Sequence, residues 1–262
     1  MSAPSSTPSI AELREATQPP TLFARNSGEH WAGRLYVRRL SPYVTRLLLR
    51  TPITPDGATW LMILAGLLAA AALMIPGIAG ALAAVALIQV QILLDCVDGE
   101  LARWLDRRSP AGVYLDRIGH WLTEAALPIG LGIRADGGPG EAGTYTTLGL
   151  VVAVLVLLVK GESALVTVAR AESGRPPAAD TEAVAAPRAG VLRSIRRALG
   201  RVPFFRAFVA IEATLLALAA AVADAVAGGH AGSRALVIAL VPIAAITATG
   251  HLVAILASDR LR

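Results

Sequence analysis

Asp95, Asp98 and Asp116 interrupt long apolar runs, and His120 follows the last of them by four residues. A carboxylate at the centre of a membrane span costs about 2.5–3.5 kcal/mol on insertion scales, so three together require a compensating role. On a helix, Asp95, Asp98, Gly99, Ala102 and Arg103 fall within one arc of roughly 140°, which sets two carboxylates and a guanidinium on one face. Asp116 and His120, at i and i+4, share a face of the following helix. The turn between the two segments is short, so they are antiparallel neighbours whose acids converge. Three carboxylates with few local cations repel one another unless a cation sits between them, and oxygen ligands suit Mg²⁺ or Mn²⁺. Such an ion neutralises a pyrophosphate and stabilises its leaving group, while Gly99 and Gly112 let a nucleotide approach the backbone. The structural alternative pairs the acids with Arg103, Arg107, Arg108 and Arg117 at the membrane rim.

The elements that must position these groups are apolar helices. Of 262 residues 55% are hydrophobic and 16% charged, and the mean hydropathy is +0.59, which describes a membrane protein rather than a water-facing surface. Ala, Leu, Val and Ile without period-2 alternation, and aromatics at only 5%, argue for packed helices against an outer-membrane barrel. The expected fold is all-α and polytopic, with six transmembrane helices at roughly Ala58–Pro76, Gly80–Arg103, Gly112–Ile133, Thr144–Ala169, Phe204–Ala227 and Ala235–Ala257. Residues 1–25, rich in Ser, Pro and Thr, read as a disordered cytoplasmic tail. Residues 26–57 carry Arg34, Arg38, Arg39, Arg46 and Arg50 among Trp31, Leu35, Tyr36, Leu40, Leu47 and Leu48, the pattern of an interfacial amphipathic helix, broken near Pro42; the alternative is a soluble basic arm. Residues 58–262 form the membrane domain.

The net charge of +5 reports topology, not nucleic-acid binding, because the arginines gather just outside the apolar spans. With six spans, one side holds nearly all of them, and the opposite loops keep only Arg134 and Arg234, so both termini are expected in the cytoplasm. The cytoplasmic loop 171–202 ends in a basic helix, Val191–Arg201, suited to anionic headgroups. The single cysteine, Cys96, excludes an internal disulfide and a multi-cysteine metal site. No internal repeat supports an inverted-repeat transporter.

The run Asp95-Cys-Val-Asp98-Gly99-Glu-Leu-Ala102-Arg103, then eight residues to Gly112, three to Asp116 and three to His120, resembles the CDP-alcohol phosphotransferase family. That family's motif is D-x-x-D-G-x-x-A-R-x8-G-x3-D-x3-D, and seven of its eight fixed positions match here. The six-span layout, the interfacial helix and the Thr-Pro turn before the first span resemble it too. The resemblance implies that Asp95, Asp98 and Asp116 bind Mg²⁺ or Mn²⁺, usually two ions, and that Gly99, Ala102, Arg103 and Gly112 form the CDP site. An acceptor alcohol would attack the β-phosphorus of a CDP-alcohol, CDP-diacylglycerol by default, and CMP would leave. It also implies a homodimer. The departure is His120, where the family has a carboxylate that binds metal and serves as base. An imidazole can accept a proton or ligate a metal, yet it brings one fewer negative charge, so a weaker second metal site is expected.

Further ionisable residues lie within the spans. Lys160, the only lysine, and Arg206 are expected to receive an anionic group of the acceptor, with Glu124, Glu162, Glu212 and His251 shaping its polar side; pairwise ion pairs such as Lys160 with Glu212 are the alternative. Taken alone, His251 reads as a helix-to-helix hydrogen bonder. Glu100 and Asp106 read as rim charges. Expected partners are the CDP-alcohol, the acceptor alcohol and membrane lipids, with no nucleic acid. Two rival readings are a divalent-cation or small-solute transporter, since acids also line ion paths, and a non-catalytic CDP-binding relic. Arginine outnumbers lysine 23 to 1, a composition that points to a bacterial cytoplasmic membrane.

Overall fold

The structure, a computed structural model, describes residues 8–19, 31–178 and 204–262, without the side chains of residues 204 and 205. The expected basic helix Val191–Arg201 lies outside the described residues. Among those described there are helices and no strands. In chain order they are α1 (Ile10–Thr17), α2 (Arg38–Leu48), α3 (Pro55–Leu73), α4 (Ile78–Trp104), α5 (Pro110–Asp136), α6 (Thr144–Glu172), α7 (Ala210–Ala227) and α8 (Ala231–Ala257). Internal contacts divide the chain into two units, residues 1–66 with 87–122, and residues 67–86 with 123–262.

Five helices, α3, α4, α6, α7 and α8, are long and apolar enough to cross a membrane. At about 1.5 Å per residue the 27 residues of α5 also have the length, rising roughly 40 Å. Its charged residues Asp116, Arg117, Glu124 and Arg134 lower its hydropathy, so among the described residues five of the six expected spans qualify by length and composition. Phe204–Phe208 is a separate 3-10 turn, and the α-helix begins only after extended Val209, which shortens the fifth expected span. Large apolar side chains face outward, among them Trp60, Val154, Leu165, Ile246 and Leu256, the inverse of a water-soluble surface.

In the first unit, Ala58, Val97 and Leu101 form a buried cluster against which Val44, Leu48, Leu49 and Ile53 pack. α2 turns a polar face inward, with Ser41 and Thr45 fully buried, and leaves Leu40, Tyr43 and Leu47 exposed. Pro42 does not break it, contrary to the expectation from sequence; the irregularity is a π-helical stretch, Gly33–Val37, just upstream. Because Pro42 has no N–H, it cannot serve the Arg38 carbonyl four residues earlier. Gln18 Nε2 donates to that oxygen at 2.9 Å instead.

Gln18 belongs to a segment expected to be disordered. α1 forms there because Ser9 and Glu12 make a reciprocal capping box and because Leu13 and Thr17 are completely buried. A short capped helix with one apolar anchor is stable here through its docking, not its propensity.

In the second unit α6 packs chiefly on α8, and α8 also on α7. The contacts run through small residues, Ala217, Ala221, Ala244 and Ala248 being buried, as expected where backbones approach in lipid. Charged groups close the helix ends. Asp136 accepts from the N–H groups of Gly143, Tyr145 and Thr146 at the start of α6, and Asp224 from those of Gly232 and Ser233 at the start of α8. Arg134 is fully buried, donating to the carbonyls of Ile75 (2.7 Å) and Gly77 (3.0 Å) and to Ser233 Oγ (3.1 Å). Arg234 donates to the Ala135 carbonyl and lies over the Tyr145 ring. The two arginines expected on the far side are therefore used up in packing.

Candidate functional site

α4 supplies Asp95 and Asp98 one turn apart, and α5 supplies Asp116 and His120. α5 starts sharply after Asp106, whose φ of 52° places a non-glycine residue in the left-handed region and turns the chain. Ser109 then accepts the Gly112 N–H at 2.9 Å, and Pro110 occupies the first helical position, where its missing N–H costs nothing. This short connection brings the two acid-bearing faces together.

Asp95, Asp116 and His120 converge, with one ligand atom from each lying within 4.8 Å of the others. His120 Nε2 stands 3.0 Å from Asp95 Oδ1 and 3.4 Å from Asp116 Oδ1. Asp116 Oδ1 is itself buried and accepts no hydrogen bond among the described residues, its contact with His120 Nε2 being a longer ion-pair approach. An oxygen, oxygen and nitrogen set with an orphaned anionic atom fits a divalent cation. The fourth expected ligand, Asp98, is not one of this group. Its buried carboxylate accepts Thr59 Oγ1 from α3 at 2.7 Å.

None of the motif acids is paired with Arg103, Arg107, Arg108 or Arg117 among the described residues; their close partners are His120 and Thr59. Arg103 instead donates Nε to the Thr17 carbonyl at 2.6 Å. Its terminal nitrogens lie over Gly99, where an added Cβ would come 3.0 Å from Nη1, so a side chain at 99 would crowd the guanidinium and shift it by a few tenths of an ångström. Ala102 is half-buried one turn beyond Asp98, and its carbonyl accepts the Arg107 N–H. Gly112 faces Asp56, whose Oδ1 would stand 3.2 Å from a Cβ at that position.

Glu100, expected to be a rim charge, is fully buried. Its carboxylate accepts Ser41 Oγ (2.5 Å), Thr45 Oγ1 (2.6 Å) and Gln18 Nε2 (2.8 Å). Sequence reasoning missed Thr59, Asp56 and this role of Glu100. The signals present were the Thr-Pro-Asp start of α3 and a second Ser/Thr pair, Ser41 and Thr45, at i,i+4 in a basic amphipathic helix.

In the second unit Lys160 Nζ pairs with Glu124 Oε2 at 2.8 Å, rather than with Glu212, and Arg206 Nη1 is 4.0 Å from Glu212. Both expected cations therefore have acidic partners. The Lys160–Glu124 pair lines a cavity of about 190 Å³ together with Leu155, Val156, Val159, Phe208, Val209, Ala244 and Thr247; Arg206 does not. Glu162 is buried with Oε2 unbonded. His251 Nε2 is 2.8 Å from Ser163 Oγ, the helix-to-helix bond expected of it.

A family model described as CDP-alcohol phosphatidyltransferase matches residues 52–257. No curated protein matches the chain.

Proposed function

From the premise that the chain belongs to the CDP-alcohol phosphatidyltransferase family, we propose that it transfers a substituted phosphate from a CDP-alcohol to an acceptor alcohol with release of CMP. The default donor is CDP-diacylglycerol, which makes the reaction a step of phospholipid synthesis. The observation that carries the reading is the convergence of Asp95, Asp116 and His120 with an orphaned oxygen on Asp116.

Asp95 and Asp116, with Asp98 beside them, would hold a divalent cation, Mg²⁺ or Mn²⁺, and a second ion would bind less tightly because His120 brings no negative charge. When bound, the ion neutralises the diphosphate and stabilises departing CMP. Arg103 presents its terminal nitrogens to a phosphate over Gly99, whose missing side chain leaves the guanidinium in place. His120 is assigned as the base. Its Nε2 faces Asp95 Oδ1 at 3.0 Å, which stabilises the imidazolium, so Nδ1 is the nitrogen that accepts the proton of the acceptor hydroxyl. The acceptor oxygen bonds to the β-phosphorus, the bond from that phosphorus to the oxygen bridging the α-phosphate breaks, and CMP leaves with the electron pair.

Lys160 and Arg206 are the proposed contacts for an anionic group on the acceptor, with a polyol phosphate as the suited class. Six spans, including α5, and cytoplasmic termini follow from the arginine distribution; the setting is a bacterial cytoplasmic membrane and the assembly a homodimer.

The test is CMP release by purified protein in mixed micelles with CDP-diacylglycerol, Mg²⁺ or Mn²⁺ and a panel of alcohols, beside Asp116→Ala and His120→Ala. CMP formation with one acceptor, lost in both variants, is expected. Folded protein that binds CDP yet releases no CMP with any donor and acceptor would make it a relic, and protein that binds no CDP would remove the reading altogether.

A further inference from the structure

The first twenty residues are not needed to build a membrane span, yet residues 8–19 carry a helix that closes on the motif. α1 ends at Thr17, and the Thr17 carbonyl takes Arg103 Nε at 2.6 Å. The next residue, Gln18, donates Nε2 both to Glu100 and to the Arg38 carbonyl that Pro42 leaves unserved. Arg14 donates to the Arg39 carbonyl one residue further on. Leu13 and Thr17 are completely buried, whereas Glu12, Arg14 and Glu15 are exposed, so α1 is seated by one edge.

Two of the docking points lie inside the nine-residue run from Asp95 to Arg103 that bears the motif. Glu100 adjoins Gly99, and Arg103 lies over it. A free arginine side chain samples many rotamers and must be ordered when it grips a phosphate. Here the Nε bond to the α1 terminus fixes the plane of the guanidinium, and a helix C-terminus is the end that favours a cation. Nη1 and Nη2 make no hydrogen bond among the described residues, which leaves the two atoms that a phosphate accepts in parallel.

We propose that residues 8–19 are a clamp that orients Arg103 for the diphosphate of the donor, with Thr17 and Gln18 as positioning residues. The clamp rests on the phosphotransferase reading for its ligand, though not for its geometry. It acts on donor binding, since the guanidinium grips the diphosphate before and during transfer alike.

The experiment compares the full chain with a variant lacking residues 1–19 and with full-length Leu13→Asp/Gln18→Ala, which undocks α1 without shortening the protein. CDP binding is measured by calorimetry, and CMP release is measured against CDP-diacylglycerol concentration. The expected result is a rise of about tenfold in both the Kd for CDP and the KM for the donor, with kcat within twofold. A synthetic peptide of residues 8–19 restores the truncated form. In an Arg103→Lys background the truncation adds nothing further, because the group it orients is gone. An unchanged Kd for CDP in a variant whose hydrogen exchange shows α1 released would overturn the clamp, and so would equal losses with and without Arg103. Should the truncated chain fail to fold, the double substitution decides alone. Wild-type protein that neither binds CDP nor forms CMP refutes the underlying reading, whereas active wild type with unaffected variants refutes only the clamp.

Discussion

His120 Nε2 and Asp95 Oδ1 stand 3.0 Å apart, a contact that ties the last position of the motif on α5 to the first on α4. An imidazole there relieves a repulsion that a carboxylate would create. His120→Asp therefore adds an anion beside Asp95 and Asp116, and two consequences of opposite sign follow. Without metal the variant melts at a lower temperature than wild type, and Mn²⁺ raises its melting temperature more. Titration followed by the Mn²⁺ magnetic-resonance signal should show the weaker site tightened about tenfold, the size of one added charge-assisted ligand. Equal Mn²⁺ affinity in both proteins would place His120 outside the metal sphere.

Glu100 is a buried anion held by three side-chain donors from two segments of the N-terminal region. Removing it leaves Ser41, Thr45 and Gln18 facing an empty space. Glu100→Ala should cost about 3 kcal/mol of stability in detergent, since bonds to a charged group are worth about 1.5–3 kcal/mol each and the stranded donors are only partly rehydrated. Glu100→Gln keeps an acceptor oxygen and should lose less. Melting temperatures of the three proteins, measured side by side, check the order.

The three motif acids with His120, their helices and the resemblance were all readable from spacing, because a helix fixes which residues share a face over a turn or two. Span positions were readable to within a few residues for the same reason. What the sequence concealed depends on contacts far apart along the chain. The Ser9-x-x-Glu12 cap is a local signal of a helix start, but nothing local says that Leu13 has a pocket to fill. The charge of Glu100 looked solvent-facing until Ser41 and Thr45, more than fifty residues earlier, were seen to point at it. Pro42 suggested a break that the structure does not show, because a distant glutamine serves the carbonyl it strands. Likewise Lys160 was expected to be paired with Glu212 or with ligand, and periodicity alone could not single out Glu124.

Arg134 donates to two carbonyls beyond the end of α3 and to Ser233 at the start of α8. A lysine has the charge but not the planar fork that reaches three acceptors at once. Arg134→Lys should therefore destabilise the protein by about 2 kcal/mol, through at least one buried acceptor left unpaired. Ser233→Ala should also destabilise it, since it removes both the bond from Arg134 Nε and the 2.5 Å bond that Ser233 Oγ donates to the Asp224 carboxylate. Chemical denaturation in micelles measures both.

The cap of α1 gives a pH dependence whose sign is fixed. The Ser9 backbone N–H and hydroxyl hold the Glu12 carboxyl below the usual carboxylate range. A depressed folded-state value contributes stability that is present above the unfolded value and lost as pH falls through the folded one. Hydrogen exchange of residues 10–17, corrected for its intrinsic pH dependence, should show protection steady near neutrality and declining below about pH 4.5. Glu12→Gln, which removes the titrating carboxyl, should flatten that decline. Equal pH profiles with and without the Glu12 carboxyl would show that its ionisation does not hold the helix.

Lys160 and Glu124 pair at 2.8 Å beside a cavity walled mostly by Leu, Val, Phe and Ala, with side chains that are 22% and 13% exposed. In such surroundings a lone charge costs more than the pair contributes. Lys160→Met alone should destabilise the protein by about 3 kcal/mol by stranding Glu124, while Lys160→Met/Glu124→Leu should recover most of that loss. The double variant is the instrument for the acceptor question, because it removes the cation without stranding its partner. If Lys160 receives an anionic acceptor, the double variant melts like wild type but shows a KM for that acceptor raised at least tenfold, with the KM for the CDP-alcohol unchanged. An unchanged acceptor KM would reduce the pair to a packing element, and an acceptor without a negative charge should then be sought.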